Sequence, residues 1–158
     1  MTEDVEGRLR ELGIELPAPV TPVANYVPTV LADRFMFVSG QMPIGPDGLA
    51  FAGKLGRDLD VEAGKQAARL SAINVLAQVK AALGGFARVR RVARLTGFIN
   101  GTNDFAEPHK VLDGASELMV QAFGDRGRHS RTVLVAANLP MNAATIIDAI
   151  FEIDRGIE

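Results

Sequence analysis

TIIDAIFEI, Thr145 to Ile153, alternates without a break. Successive side chains of a strand point to opposite sides, so Ile147, Ala149, Phe151 and Ile153 share one face and Ile146, Asp148, Ile150 and Glu152 the other. The first face is uniformly apolar and calls for a helical layer over it. The second mixes two isoleucines with two carboxylates. In a sheet covered by helices on one side only, such a face is either exposed or covered by another subunit. Its composition fits a subunit interface better than free surface.

Two helical segments supply the cover. From about Val61 to Leu83, Ala68, Ala72, Val75, Val79 and Leu83 recur at helical spacing, with Glu62, Lys65, Gln66 and Arg69 opposite. Asp58 or Asp60 can cap this helix, and Gly84-Gly85 ends it. A second helix spans about Phe105 to Phe123, with Pro108 in its first turn and Gly124 as its stop.

Between them RVARLTGFIN reads as a strand, with Ala93, Leu95, Gly97 and Ile99 on a small apolar face. Val92, Arg94, Thr96, Phe98 and Asn100 make its mixed face. Thr132–Ala137 is a further strand. Upstream, two β runs flank a turn at Ala32-Asp33, Pro46-Asp47-Gly48 is a second turn, and residues 50–56 suit a short strand. Residues 3–12 pattern as a short helix with Val5, Leu9 and Leu12 on one side, and ELPAPVTP is an extended connector. Strands and helices in this order predict an α+β fold, a mixed sheet with two main helices on one face plus a short N-terminal helix. Without repeats or linkers, residues 1–158 read as a single domain, 1–13 forming an N-terminal helical extension.

Composition removes several chemistries. There is no cysteine, which excludes disulfides, zinc thiolates and a Cys nucleophile. The two histidines, His109 and His129, lack metal-motif spacing, so no metal is expected. No phosphate loop, G-x-G-x-x-G or G-x-S-x-G occurs. A net charge of −2 argues against nucleic-acid binding. The first thirteen residues are charged and lack an apolar core segment, and no run approaches the ~18 apolar residues of a membrane span. A cytoplasmic, membrane-free protein is therefore expected.

What remains is a set of polar residues at strand ends: Tyr26, Ser39, Gln41, Arg131 and Asp148. Arg131 stands directly before the apolar run TVLVAA, where a cation is costly unless something pairs with it. By spacing alone it serves solubility, a structural ion pair with Asp148, or a negatively charged ligand. Tyr26 reads equally as a packing residue and Ser39 as a turn residue.

The order S-G-Q-x-P at Ser39–Pro43, N-D-F at Asn103–Phe105, R-T-V-x-V-x-x-x-L-P at Arg131–Pro140 and an acid at Asp148 resembles the RidA family, the YjgF/YER057c/UK114 group often labelled endoribonuclease L-PSP. The resemblance covers about residues 14–154. The N-terminal helix and AGKLGRDL at Ala52–Leu59 look closest to one subgroup. It implies a chorismate-mutase-like fold assembled as a homotrimer, with sites in clefts between subunits. It implies hydrolysis of small reactive enamines and imines, such as 2-aminoacrylate, to 2-oxo acids, with no cofactor.

By the same resemblance Arg131 grips a substrate carboxylate, which a guanidinium does with two parallel donors. Asp148, where many members carry Glu, handles water or a proton. Tyr26, Ser39, Gly40 and Gln41 line the pocket, and Asp113 stands where active members carry a pocket Asn. A non-catalytic trimer that binds small carboxylates is the alternative, and the ribonuclease of the family label is the third reading.

Overall fold

In the computed structural model, which describes residues 4–156, the chain runs α1 (Val5–Glu11), β1 (Thr29–Ala32), β2 (Phe35–Gln41), β3 (Ile44–Gly45), β4 (Gly48–Leu49), α2 (Val61–Leu83), β5 (Val89–Asn100), α3 (Pro108–Phe123), β6 (Ser130–Ala136) and β7 (Thr145–Ile153). Positions 1–3 of the expected extension and 157–158 of the expected domain lie outside the described residues. Five strands form one sheet in the order β1-β2-β7-β5-β6, with β5 and β6 parallel and the other pairs antiparallel. The fold is thus the mixed sheet with helices packed on it that the sequence predicts.

The last strand of the chain lies at the centre of the sheet, and its alternation is the one read from sequence. Thr145, Ile147, Ala149, Phe151 and Ile153 are buried and the residues between them half-buried. α2 and α3 pack against each other; α2 also touches β7, and α3 touches β5 and β6. At the start of β7, Thr145 Oγ1 lies 2.8 Å from Ser71 Oγ of α2, which satisfies two hydroxyls that burial would otherwise leave costly. Asp60, not Asp58, caps α2: its Oδ1 accepts from Ala63 N–H at 2.8 Å. Gly84, at φ +74°, closes the helix.

Three expectations are corrected. Residues 50–56 form no strand: Gly53 and Gly56 sit at φ +118° and +87°, which breaks extended pairing, and only isolated bridges from Ala52 and Leu55 remain. The strand nearby is Gly48–Leu49, paired with Ile44–Gly45 across the Pro46-Asp47 turn. In β5, register shifts opposite β7 between Val89 and Arg91 and between Val92 and Arg94 break strict alternation, so Val92 is fully buried together with Leu95 and Ile99. α3 begins at Pro108, not at Phe105, whose N–H closes a turn onto the Thr102 carbonyl at 3.1 Å. In α1, Asp4 caps the helix at Gly7 N–H, Val5 and Leu9 are buried, and Leu12 is left exposed.

The approach of α2 to α3 depends on Gly114. A Cβ there would lie 2.0 Å from the Lys65 carbonyl oxygen, a backbone atom with no side-chain freedom to yield. Gly114→Ala is expected to lower the urea midpoint by an amount equivalent to about 3 kcal/mol. Gly45→Ala, whose Cβ first meets an atom at 3.7 Å, is expected to change it by less than about 0.5 kcal/mol.

Candidate functional site

A bulge shapes the open side of the sheet. β2 slips register against β7 between Val38 and Gln41, so Ser39 and Gly40 leave the regular ladder. Ser39 N–H turns to the Pro28 carbonyl at 2.9 Å. Gly40 is required by a close approach: a Cβ would lie 2.5 Å from Ile146 Cγ2. Ser39 Oγ is sealed from solvent and has no hydrogen-bond partner among the described residues. A buried hydroxyl without a partner is rare.

Ser39 and Gly40 line a cleft of about 390 Å3, together with Val27, Pro28, Phe37 and Asp148. Among the described residues Asp148 is the only charged one that lines it. Burial raises the Asp148 pKa above the usual carboxylate value, opposed by a hydrogen bond with Thr96 and by the Arg94 charge. Thr96 lies directly across from Asp148 in β5, and Arg94 Nη2 donates to Thr132 Oγ1 at 2.7 Å. The cleft therefore combines an apolar wall with a carboxyl that holds its proton to higher pH than usual.

The other expected residues lie elsewhere. Tyr26 is half-exposed and precedes the cleft wall without lining it. Gln41 is buried toward α2, where its Nε2 donates to the Ser39 carbonyl at 3.1 Å and its Oε1 accepts from Gln78 Nε2 at 3.4 Å.

Arg131 does not pair with Asp148. Arg131 sits opposite Leu95 and Ala149, one position out of step with the Thr132–Thr96–Asp148 row, so it projects toward the helices while Asp148 projects to the open face. Its partner is Asp113, on α3: Nη1 donates to Asp113 Oδ1 at 2.8 Å and to Ser116 Oγ at 3.1 Å, and Nη2 donates to the His109 carbonyl at 3.1 Å. These bonds use three of the five guanidinium N–H groups, and two keep no partner among the described residues.

The network continues into His129. Its Nδ1 lies 2.6 Å from the Gly127 carbonyl, an acceptor only, so Nδ1 carries the proton and Nε2 accepts from Ser116 Oγ at 2.9 Å. Burial lowers the His129 pKa, the Gly127 hydrogen bond opposes this, and the Arg131 charge lowers it further. Sequence reasoning gave His129, Thr96 and Ser116 no part in a site. The available signal was the one-turn spacing of Asp113 and Ser116, which is informative only once β6 is known to lie beside α3.

Among the described residues no three His, Asp or Glu side chains come together as metal ligands, and no helix is long and apolar enough to cross a membrane.

Residues 6–153 match the family described as "YjgF/chorismate_mutase-like, putative endoribonuclease". "Protein TCP17" of Trypanosoma cruzi is 42% identical over 152 residues, covering 96% of this chain and 95% of that protein. The crystal structure of Atu1372 from Agrobacterium tumefaciens, described as of unknown function, is 45% identical with a TM-score of 0.89, covering 98% of this chain and 94% of that one. More distant is E. coli TdcF with bound serine, 28% identical with a TM-score of 0.58, covering 89% and 97% of the two chains.

The raised pKa of Asp148 has a consequence for stability. Its protonated form is favoured in the folded chain, so the folded state loses stability as pH rises from the unfolded value, about 3.9, through the folded one. Asp148→Asn removes that loss and keeps a polar group beside Thr96. In calorimetry the variant is expected to melt above the wild type at pH 8 and together with it near pH 4.

Proposed function

Because the chain belongs to the YjgF/chorismate-mutase-like family, we propose that it hydrolyses small reactive enamines and imines bearing a carboxylate, of the 2-aminoacrylate and 2-iminopropionate type. The products are a 2-oxo acid and ammonia, and the sites are clefts shared between copies in a homotrimer. The observation that carries this reading is the placing of Asp148, with its raised pKa, in an apolar-walled cleft bounded by Ser39 and Gly40.

The chemistry asks for little. Water adds its oxygen to the imine carbon, the carbon–nitrogen bond breaks, and nitrogen leaves as ammonia. Asp148, protonated to higher pH than an ordinary carboxyl, gives a proton to the substrate and takes one back from the attacking water. Ser39 and Gly40 form the wall against which the substrate is oriented.

The carboxylate clamp comes from a neighbouring copy. β6 and β1 are the two edges of the sheet, so Arg131 lies at one edge and the cleft, walled by β1 and β2, toward the other. Copies joined edge to edge in a closed ring bring the Arg131 of each to the cleft of the next. The two uncommitted N–H groups of Arg131 suit a carboxylate. Serine, bound in the TdcF structure, carries both a carboxylate and an amine, the two groups this substrate class presents.

A second reading, binding without turnover, is favoured by one contact: Asp113 already supplies a carboxylate to Arg131. The ribonuclease of the family description is less well supported by the cleft, where the only charged side chain among the described residues is an acid.

Hydrolysis of 2-iminopropionate by wild type, Asp148→Asn and Arg131→Lys, each with native circular dichroism, separates these readings. Asp148→Asn is expected to lower kcat by about 100-fold. Arg131→Lys keeps a cation for Asp113 but loses the fork, and KM is expected to rise by about tenfold or more. Wild-type rates in both variants would overturn the assignment. Thermal stabilisation by pyruvate without turnover would establish the binding reading instead.

A further inference from the structure

A cleft larger than the one beside Asp148 lies on the other side of the sheet. On the helical side, the connector after α1, the β3–β4 turn and α2 enclose a space of about 490 Å3. Its walls are apolar: Ile14, Pro17 and Val20 from the connector, Ile44 from β3, and Leu70 and Ile73 from α2.

One buried polar side chain interrupts this lining. Asn74 of α2 is 1% exposed. Its Nδ2 donates to the carbonyls of Met42 at 3.0 Å and Ile44 at 2.9 Å. Two carbonyls demand the NH2 end of the amide, so its orientation is fixed. Asn74 Oδ1 is then a buried acceptor with no partner among the described residues. Water is a poor solution, because a stable buried water needs two to four polar partners and the mostly apolar lining offers few beside Asn74.

We propose that this cleft is a second binding site, for a small apolar molecule with a single N–H or O–H donor that bonds Asn74 Oδ1. The covering wall is irregular chain, tied by Ile14 N–H to the Leu9 carbonyl at 2.9 Å and by Gln78 Nε2 to the Val20 carbonyl at 2.8 Å. An outward shift confined to the exposed Pro17, Ala18 and Pro19 admits the donor, while Ile14 and Leu16 stay packed on the core. Glu15, exposed at the rim, disfavours anionic ligands, so this site takes a class of molecule opposite to that proposed for the Asp148 cleft.

Indole is the probe: an apolar bicycle with one N–H. The chain contains no tryptophan, so indole fluorescence reports binding without background. The expected result is saturable binding with one site per chain. 1-Methylindole, which lacks the donor, is expected to bind at least about tenfold more weakly. Ala18→Phe, an exposed rim position that fills the mouth without touching the core, is expected to abolish binding. Asp148→Asn, in the other cleft, is expected to bind indole as the wild type does. Non-saturable fluorescence, equal affinity for the two probes, or binding unchanged by Ala18→Phe would overturn the proposal.

Discussion

The alternation of β7 decides which side of the sheet every neighbouring residue occupies. Ile147, Ala149, Phe151 and Ile153 are drawn under α2 and α3, where burying each large apolar side chain stabilises the fold by about 1.5–3 kcal/mol. Asp148 has no freedom in this. With Ile147 and Ala149 inside, it faces out, among Ile146, Ile150 and Thr96. A one-residue slip would place the carboxylate in the core and two isoleucines on the surface. The same rule places Leu95 inside with Arg131 beside it, toward the helices. The separation of the acid from the guanidinium is thus a consequence of sheet geometry.

Each of the two groups then acquires a different environment. Asp148 is partly desolvated in an apolar-walled cleft with only Thr96 and Arg94 to compensate, so its proton is held more tightly. Arg131 is at an edge strand, where Asp113, Ser116 and the His109 carbonyl hold it in one orientation. A held guanidinium with donors to spare loses little conformational freedom when it grips a ligand. The open face between them carries Phe35, Phe37 and Leu134 at 44%, 43% and 54% exposure, an apolar surface that association with other copies would cover.

The long-period patterns were legible because tertiary packing and local preference agree there. β7 and α2 have the limits read from spacing, Gly84 is the stop, and the motif order from Ser39 to Asp148 carried the family. Strand 50–56 was misread because composition does not reveal that Gly53 and Gly56 need left-handed backbone. Val92 was assigned to the wrong face because a bulge shifts register without a sequence mark. The Arg131–Asp113–Ser116–His129 network joins a helix to a strand about fifteen residues on, and the Asn74 cleft is made by three segments far apart in the chain. Neither has a local signature.

The central claim is that one copy's Arg131 serves another copy's Asp148. Arg131→Ala and Asp148→Asn chains, each inactive alone, can be unfolded, mixed in equal amounts and refolded together. If the site is shared across an interface, random assembly pairs an intact Arg131 with an intact Asp148 at about one quarter of the sites, and hydrolysis of 2-iminopropionate recovers to about that fraction of wild type. Activity no greater than that of the two parents would contradict the claim, because it would place both residues in a site belonging to a single chain.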